Sequence, residues 1–209
     1  MRISNSRIHK FFFPSFTYKT DSPAIHLTFD DGPHPAATRT VLQILKSRNA
    51  KATFFLLGKN IENLPAITRQ IVDEGHSVGN HTFDHSLLVM RSEAFVIDQL
   101  QRTEEALLKA TGRKTRLFRP PYGFIGSQSV NIVRQRGYDV VMWTKDPGDF
   151  LQIENQTVVR RATEGIEAGS IILLHDNMKT SNTISEILEG ILDNLSARGF
   201  TFSVLPHDA

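Results

Sequence analysis

Along this chain, short and nearly continuous apolar runs alternate with longer stretches of helical spacing. The short runs, rich in β-branched and aromatic residues, cover 24–29, 52–57, 77–79, 115–118, 138–143, 170–174 and 200–204 and predict strands. Between them, 40–48 carries Val41, Leu42, Ile44 and Leu45 on one helical face, and 66–74 carries Ile67, Ile71 and Val72. The stretch 93–110 places Phe95, Val96, Leu100, Leu107 and Leu108 in the same way, and 127–136, 157–167 and 181–197 follow suit. Gly75, Gly112, Gly137, Gly169 and Gly199 each stand just before a strand, where a helix needs its stop.

Alternation of helices with strands that are apolar throughout implies a mostly parallel sheet covered by helices. About seven such units fit a single-domain, distorted (β/α) barrel, with an open doubly wound sheet as the alternative. Either architecture gathers its functional groups at the carboxyl ends of the strands.

The 209 residues, 40% hydrophobic and 22% charged, suffice for one domain with a sizeable core. There is no cysteine, so disulfides, thiolate metal sites and cysteine nucleophiles are excluded, and any metal must sit on His, Asp or Glu. The net charge of +2 is uneven: Arg2, Arg7, Lys10 and Lys19 fall in residues 1–20, which hold no acid, leaving 20 basic against 22 acidic residues elsewhere. We therefore separate an N-terminal tail, 1–20, from a domain over 21–209, and expect the tail's phenylalanines to pack on the domain surface. The body has no basic stripe of the kind that binds nucleic acid. The tail lacks the uninterrupted apolar stretch and cleavage site of a secretory signal, and nothing approaches a membrane span. These features predict a cytoplasmic protein.

Five motifs fall directly after expected strands. The first is Thr28-Phe29-Asp30-Asp31-Gly32-Pro33, where the chain must bend for both carboxylates to face one site. The second is His81-Thr82-Phe83-Asp84-His85, whose imidazoles at i and i+4 would share one face of a helical turn and, with a carboxylate from another strand end, make a two-His-one-carboxylate cation site. In Arg119-Pro120-Pro121-Tyr122-Gly123 the prolines stiffen a turn suited to presenting a backbone N–H, and Arg119 could pair with a carboxylate. The last two are Asp146-Pro147-Gly148-Asp149-Phe150 and Leu173-Leu174-His175-Asp176.

In this order and spacing the motifs resemble those of the polysaccharide deacetylases of carbohydrate esterase family 4, over roughly residues 25–205. The resemblance implies a distorted (β/α) barrel that hydrolyses N-acetyl groups of N-acetylglucosamine residues in chitooligosaccharide or peptidoglycan. By motif match it implies a divalent cation, Zn2+ or else Co2+, Ni2+ or Mn2+, on Asp31, His81 and His85, with Asp30 as general base and Arg119 holding it. It further implies an oxyanion donor in the Tyr122 backbone N–H, His175 as general acid and Asp149 orienting that histidine. One position departs from the family pattern: Phe150 stands where a groove-lining Trp is usual, and Trp143 does not replace it by register. The compact size resembles that of nodulation-type chitooligosaccharide deacetylases. The alternatives are O-deacetylation of acetylxylan type, action on a small N-acetylated molecule, and an inactive glycan-binding protein, which would be expected to have lost a ligand or the base. His76 reads as structural and His34 as a residue near the substrate; His9, His26 and His207 show no partner in sequence, and Asp84 receives no role.

Overall fold

In a computed structural model, which describes residues 10 and 13–206, every position of the strands β1 (His26–Asp30) and β2 (Ala52–Leu56) is buried, as expected of strands covered on both faces. With β3 (Ser77–Asn80), β4 (Leu117–Phe118), β5 (Asp139–Val140) and β6 (Ile171–His175) they form one parallel sheet in the order β5-β4-β3-β2-β1-β6. The helices are α1 (Ala37–Ser47), α2 (Gly58–Asn63), α3 (Pro65–Asp73), α4 (Glu93–Thr111), α5 (Ser127–Gln135), α6 (Asn155–Thr163) and α7 (Ile184–Ala197). Six strands curl into a half-barrel. Lys145 bridges to Ile172 of β6, and Thr17 and Lys19 bridge to Val141 and Ser170, so irregular segments span the interval between β5 and β6.

The sequence pattern predicts a seventh strand at 200–204, but this segment makes one bridge, Phe202 to Ile25. The cause is positional: β6 occupies one edge of β1 from His26 and β2 the other from Leu27, leaving only Ile25 to pair with an added strand.

Alternating side chains divide the core in two. Leu27, Phe29, Phe54, Leu56, Ile172 and Leu174 pack outward with the helices, and Phe55, Ile171 and Leu173 pack inward. Helix α7 buries Ile184, Ile187, Leu188, Ile191, Leu192 and Leu195, an i, i+3, i+4, i+7 stripe that fixes its packing. Truncating Leu188 to Ala there would cost about 2–5 kcal/mol. Helix α4 starts at Ser92, whose hydroxyl accepts the Phe95 N–H, and ends at left-handed Gly112. Phe16 and Tyr18, from the segment read as a tail, are buried in the inner core, and Phe13 stacks on Phe16 at 4.8 Å. Phe11 and Phe12 lie outside the described residues, as do His9 and His207. Among the described residues no helix is long and apolar enough to cross a membrane.

Candidate active site

The parallel register lines up the carboxyl ends of the strands. Asp30 is directly opposite His175, Leu56 is opposite Asn80, which precedes His81, and Asn80 is opposite Phe118, which precedes Arg119. Residues far apart in sequence thus reach one rim.

Asp30 and Asp31 face the same centre because Asp31 takes a left-handed conformation, φ 75°. Asp is among the residues that tolerate this region. The Asp31 carbonyl accepts from Asn60 Nδ2 at 2.8 Å. Gly32 has to be glycine, since a Cβ there would stand 2.5 Å from the Asp176 carboxylate lying beneath it. Asp176 is fully buried and accepts the Thr38 hydroxyl at 2.5 Å. Burial first, and Asp31 and Asp30 nearby, push its carboxyl well above the usual range despite that hydrogen bond.

The two histidines do not ride a helical turn. Thr82 (φ 68°) and His85 (φ 65°) are left-handed, and the segment 81–85 is an irregular loop. Its amides are satisfied from elsewhere: Thr82 N donates to Asn80 Oδ1, and Phe83 and Asp84 N both donate to Gln99 Oε1 on α4. Its Thr82 and Phe83 carbonyls accept the first N–H groups of α2, from Gly58 and Lys59. These tertiary partners replace the intrahelical bonds that the i, i+4 spacing assumed. The imidazoles still meet, with ring centroids 5.1 Å apart.

Asp31 Oδ1 lies 3.1 Å from His85 Nε2 and 3.5 Å from His81 Nε2, and all three donor atoms fall within 4.8 Å of one another. Asp31 Oδ1 is buried and has no hydrogen-bond partner. His81 Nδ1 is 2.7 Å from the Arg119 carbonyl, which can only accept, so Nδ1 carries the proton and Nε2 offers its lone pair. A buried carboxylate oxygen without a donor, beside two imidazole nitrogens, fits a divalent cation. Burial works against the charge on Asp31, but His81 and His85 in their protonated forms, with His175 further off, outweigh it and hold the carboxyl far below its usual range.

Arg119 is fully buried inside the half-barrel. Its guanidinium donates to Asp30 Oδ1 at 2.7 Å, to Thr28 Oγ1 and to the carbonyls of Val141 and Met142, and stacks over Phe55 at 4.1 Å. A buried cation is tolerable only when paired and bonded in this way. The following turn carries Tyr122 at φ 61°. Pro120 and Pro121 lack an N–H, and those of Gly123 and Phe124 go to the carbonyls of Pro120 and Pro121, which leaves the Tyr122 amide. The Tyr122 ring meets His85 edge-on at 4.4 Å.

Across the rim, His175 Nδ1 is 2.8 Å from Asp149 Oδ1, and its backbone N–H donates to Asp149 Oδ2 at 2.7 Å. Burial alone would lower the imidazole pKa. Asp149 first, through charge and hydrogen bond, and then Asp30 and Asp31 reverse this and raise it to about 9. Phe150 turns its ring edge-on to His175 at 5.1 Å. Trp143 is buried with its ring 5.7 Å from the Arg119 guanidinium and packed against Gly123.

The residues singled out in sequence as site candidates therefore sit together. His34 accepts the Ala36 and Ala37 N–H groups through Nδ1 at the start of α1. His76 accepts the Ala52 N–H and is held near pKa 4, by burial first and then Lys51. His26 bonds Thr20 and the Ser203 carbonyl. Sequence reasoning gave no role to Thr28, although it opens the first motif, and missed Asn60, Asn80, Gln99 and Asn177. Asn80 and Asn177 adjoin motifs and were findable; Gln99, inside a helix, carries no such signal.

Residues 17–141 match the polysaccharide deacetylase family. The chain is 36% identical to a chitooligosaccharide deacetylase of Azorhizobium caulinodans, covering 88% of this chain and 93% of that protein. It is 33% identical to the peptidoglycan-N-acetylglucosamine deacetylase of Listeria monocytogenes, covering 94% of this chain but spanning 42% of that relative. Among solved structures, a peptidoglycan N-acetylglucosamine deacetylase superimposes with a TM-score of 0.89 at 31% identity, over 95% of this chain and 94% of the other. A family pseudoenzyme from Bacillus anthracis superimposes at 0.81 with 29% identity, over 90% of this chain and 66% of the other.

Proposed function

The chain belongs to the polysaccharide deacetylase family, and from that premise we propose that it is an active metal-dependent hydrolase removing N-acetyl groups from N-acetylglucosamine residues of a glycan, of chitooligosaccharide or peptidoglycan type. One observation carries the reading. The cation-ready set Asp31, His81 and His85 shares its rim with two pre-paired proton-handling groups, Asp30 on Arg119 and His175 on Asp149. A pseudoenzyme can keep this fold, so the fold alone does not argue for turnover; an intact set of reacting groups does.

A divalent cation held by those three residues supplies Lewis acidity toward the acetyl carbonyl and lowers the pKa of water to around 7. The donor set suits Zn2+, with Co2+, Ni2+ or Mn2+ as substitutes. Asp30, held by Arg119, takes a proton from the attacking water as its oxygen bonds to the acetyl carbon. The Tyr122 N–H donates to the developing oxyanion, a contact worth about 3 kcal/mol in the transition state. His175, kept protonated by Asp149, delivers its proton to the sugar nitrogen as the carbon–nitrogen bond breaks. The products are acetate and a glycan with a free amine.

The test is acetate release and product mass from N-acetylated chitooligosaccharides, peptidoglycan fragments and acetylxylan, with cation content measured on the same sample. Loss of one acetyl group, replaced by hydrogen, is expected in the mass of an N-acetylated oligosaccharide for each amide hydrolysed. Release from acetylxylan alone would replace the amide reading with an ester one, and glycan binding without release by the cation-loaded protein would replace catalysis with recognition.

A further inference from the structure

Building on the reading of Asp31 as a cation ligand, we propose that Asn177 is a positioning residue that restricts Asp31 to binding the cation through a single oxygen, Oδ1. Asn177 lies two residues beyond His175, on the loop joining β6 to α7. Its Nδ2 donates to Asp31 Oδ2 at 2.8 Å. Its own Oδ1 accepts the Lys179 N–H at 2.8 Å. Only one orientation of the amide satisfies both contacts, because Lys179 N can only donate and an ionised carboxylate can only accept. The NH2 end therefore belongs to Asp31.

The consequence is an asymmetric carboxylate. Oδ2 is occupied, whereas Oδ1 is buried, has no hydrogen-bond partner and lies nearest His81 and His85 Nε2. Asn60 holds the Asp31 carbonyl at 2.8 Å, so both the backbone and the far oxygen are fixed. A carboxylate held this way contributes one ligand atom and leaves the remaining coordination positions for water and substrate; a carboxylate free to rotate could close one of them by chelating. The loop that holds Asn177 begins where β6 ends at His175, whose carbonyl accepts the Thr180 hydroxyl at 2.6 Å, while the Asn177 N–H donates to that hydroxyl at 3.3 Å. One short loop thus ties the proton donor to the cation ligand. Outer partners of metal ligands typically shift cation affinity about 10–100-fold.

The experiment compares wild-type protein with Asn177→Ala and Asn177→Ser, measuring the Zn2+ dissociation constant by chelator competition and the visible absorption of the Co2+-loaded protein. Serine keeps an oxygen that can accept the Lys179 N–H, preserving the turn, but is too short to reach Asp31. Both variants are expected to bind Zn2+ about 10–100-fold more weakly. Their Co2+ bands should lose intensity as Asp31 turns to chelate and the coordination number rises. That spectrum is read only from folded, cation-bearing protein, so loss of fold cannot imitate it. A serine variant with wild-type affinity and spectrum would overturn the proposal and leave Asn177 as a turn residue. If instead the wild type and Asp31→Asn bind Zn2+ alike, the reading of Asp31 itself fails, an outcome distinct from either result at Asn177.

Discussion

Where helices turn back toward the sheet at one end of the half-barrel, left-handed backbone falls on Gly75, Gly112, Gly137, Gly169 and Gly199, with φ between 72° and 82°, and on Asn49. At the opposite end, where strands run into loops, it falls on Gly123 and Gly148 but also on Asp31, Thr82, His85, Met90 and Tyr122. Glycine adopts this conformation at no steric cost, while other residues lose roughly 1–2 kcal/mol there, and β-branched Thr82 is among the least suited. The first end is composed for stability. The second keeps non-glycine residues as well, among them Asp31, His85 and Tyr122, whose side chains or amide form the candidate site, and the core must offset the strain they introduce.

On this contrast, changing side-chain chemistry at the loop end while sparing the backbone should remove function far more than stability. Asp31→Asn retains a residue suited to positive φ and is expected to abolish stoichiometric Zn2+ binding and with it acetate release; metal analysis showing full occupancy would break the assignment. Asp30→Asn should keep the cation yet lose about 10²–10⁴-fold in kcat, the usual worth of a positioned base. Near-normal turnover in that variant would remove Asp30 from the role.

A smaller effect separates the two halves of the rim. The His175 pKa is raised to about 9 in the folded protein, so its ion pair stabilises the cation-free fold fully below about pH 6.5, and that stability is lost as pH climbs through 9. A cation on Asp31 opposes the contributions of Asp30 and Asp31, so the alkaline limb of kcat should lie below 9 in the loaded enzyme. Asp149→Asn removes the main stabiliser of the imidazolium and leaves burial to act against it. The alkaline limb should then move to lower pH by at least about one unit, since one unit is only about 1.4 kcal/mol, and the stability loss above pH 6.5 should disappear from melting curves of cation-free protein. An unchanged limb would assign it to another group.

At the opposite end, Gly137→Ala tests stability alone. Gly137 has φ 80° and no atom within 4 Å of the Cβ that alanine would add, so the cost is that of backbone conformation, about 1–2 kcal/mol. Melting should fall by roughly 2–8 °C with kcat unchanged; a fall in kcat would show that the two ends are coupled.

The same contrast explains what could be read from sequence. Glycines before strands, apolar periodicity and five polar motifs after strands are local signals, and they located the layers, the rim and the residues gathered there. The irregular course of 81–85 was not legible, because Gln99, eighteen residues from His81, supplies hydrogen bonds that spacing within the loop cannot reveal. Asn177 acts only once the β1–β6 register brings Asp31 within reach. The failure at 200–204 is of the same kind: its strand-like composition is real, but both edges of β1 are already taken.

The smallest effect is expected at Met90, left-handed at φ 54° on the loop after His85 and 97% exposed. Its side chain contributes almost no burial, so strain is the main energetic consequence of having methionine there. Met90→Gly relieves it, partly offset by the greater freedom glycine has in the unfolded chain, for a net gain of up to about 1 kcal/mol. Differential scanning calorimetry should show melting raised by no more than about 4 °C. The informative measurement is made alongside: if Met90 is at this end only as a strained residue, KM for an N-acetylated oligosaccharide is unchanged, whereas a several-fold rise in KM with kcat preserved would place its side chain against the glycan and give this strain, too, a functional reason.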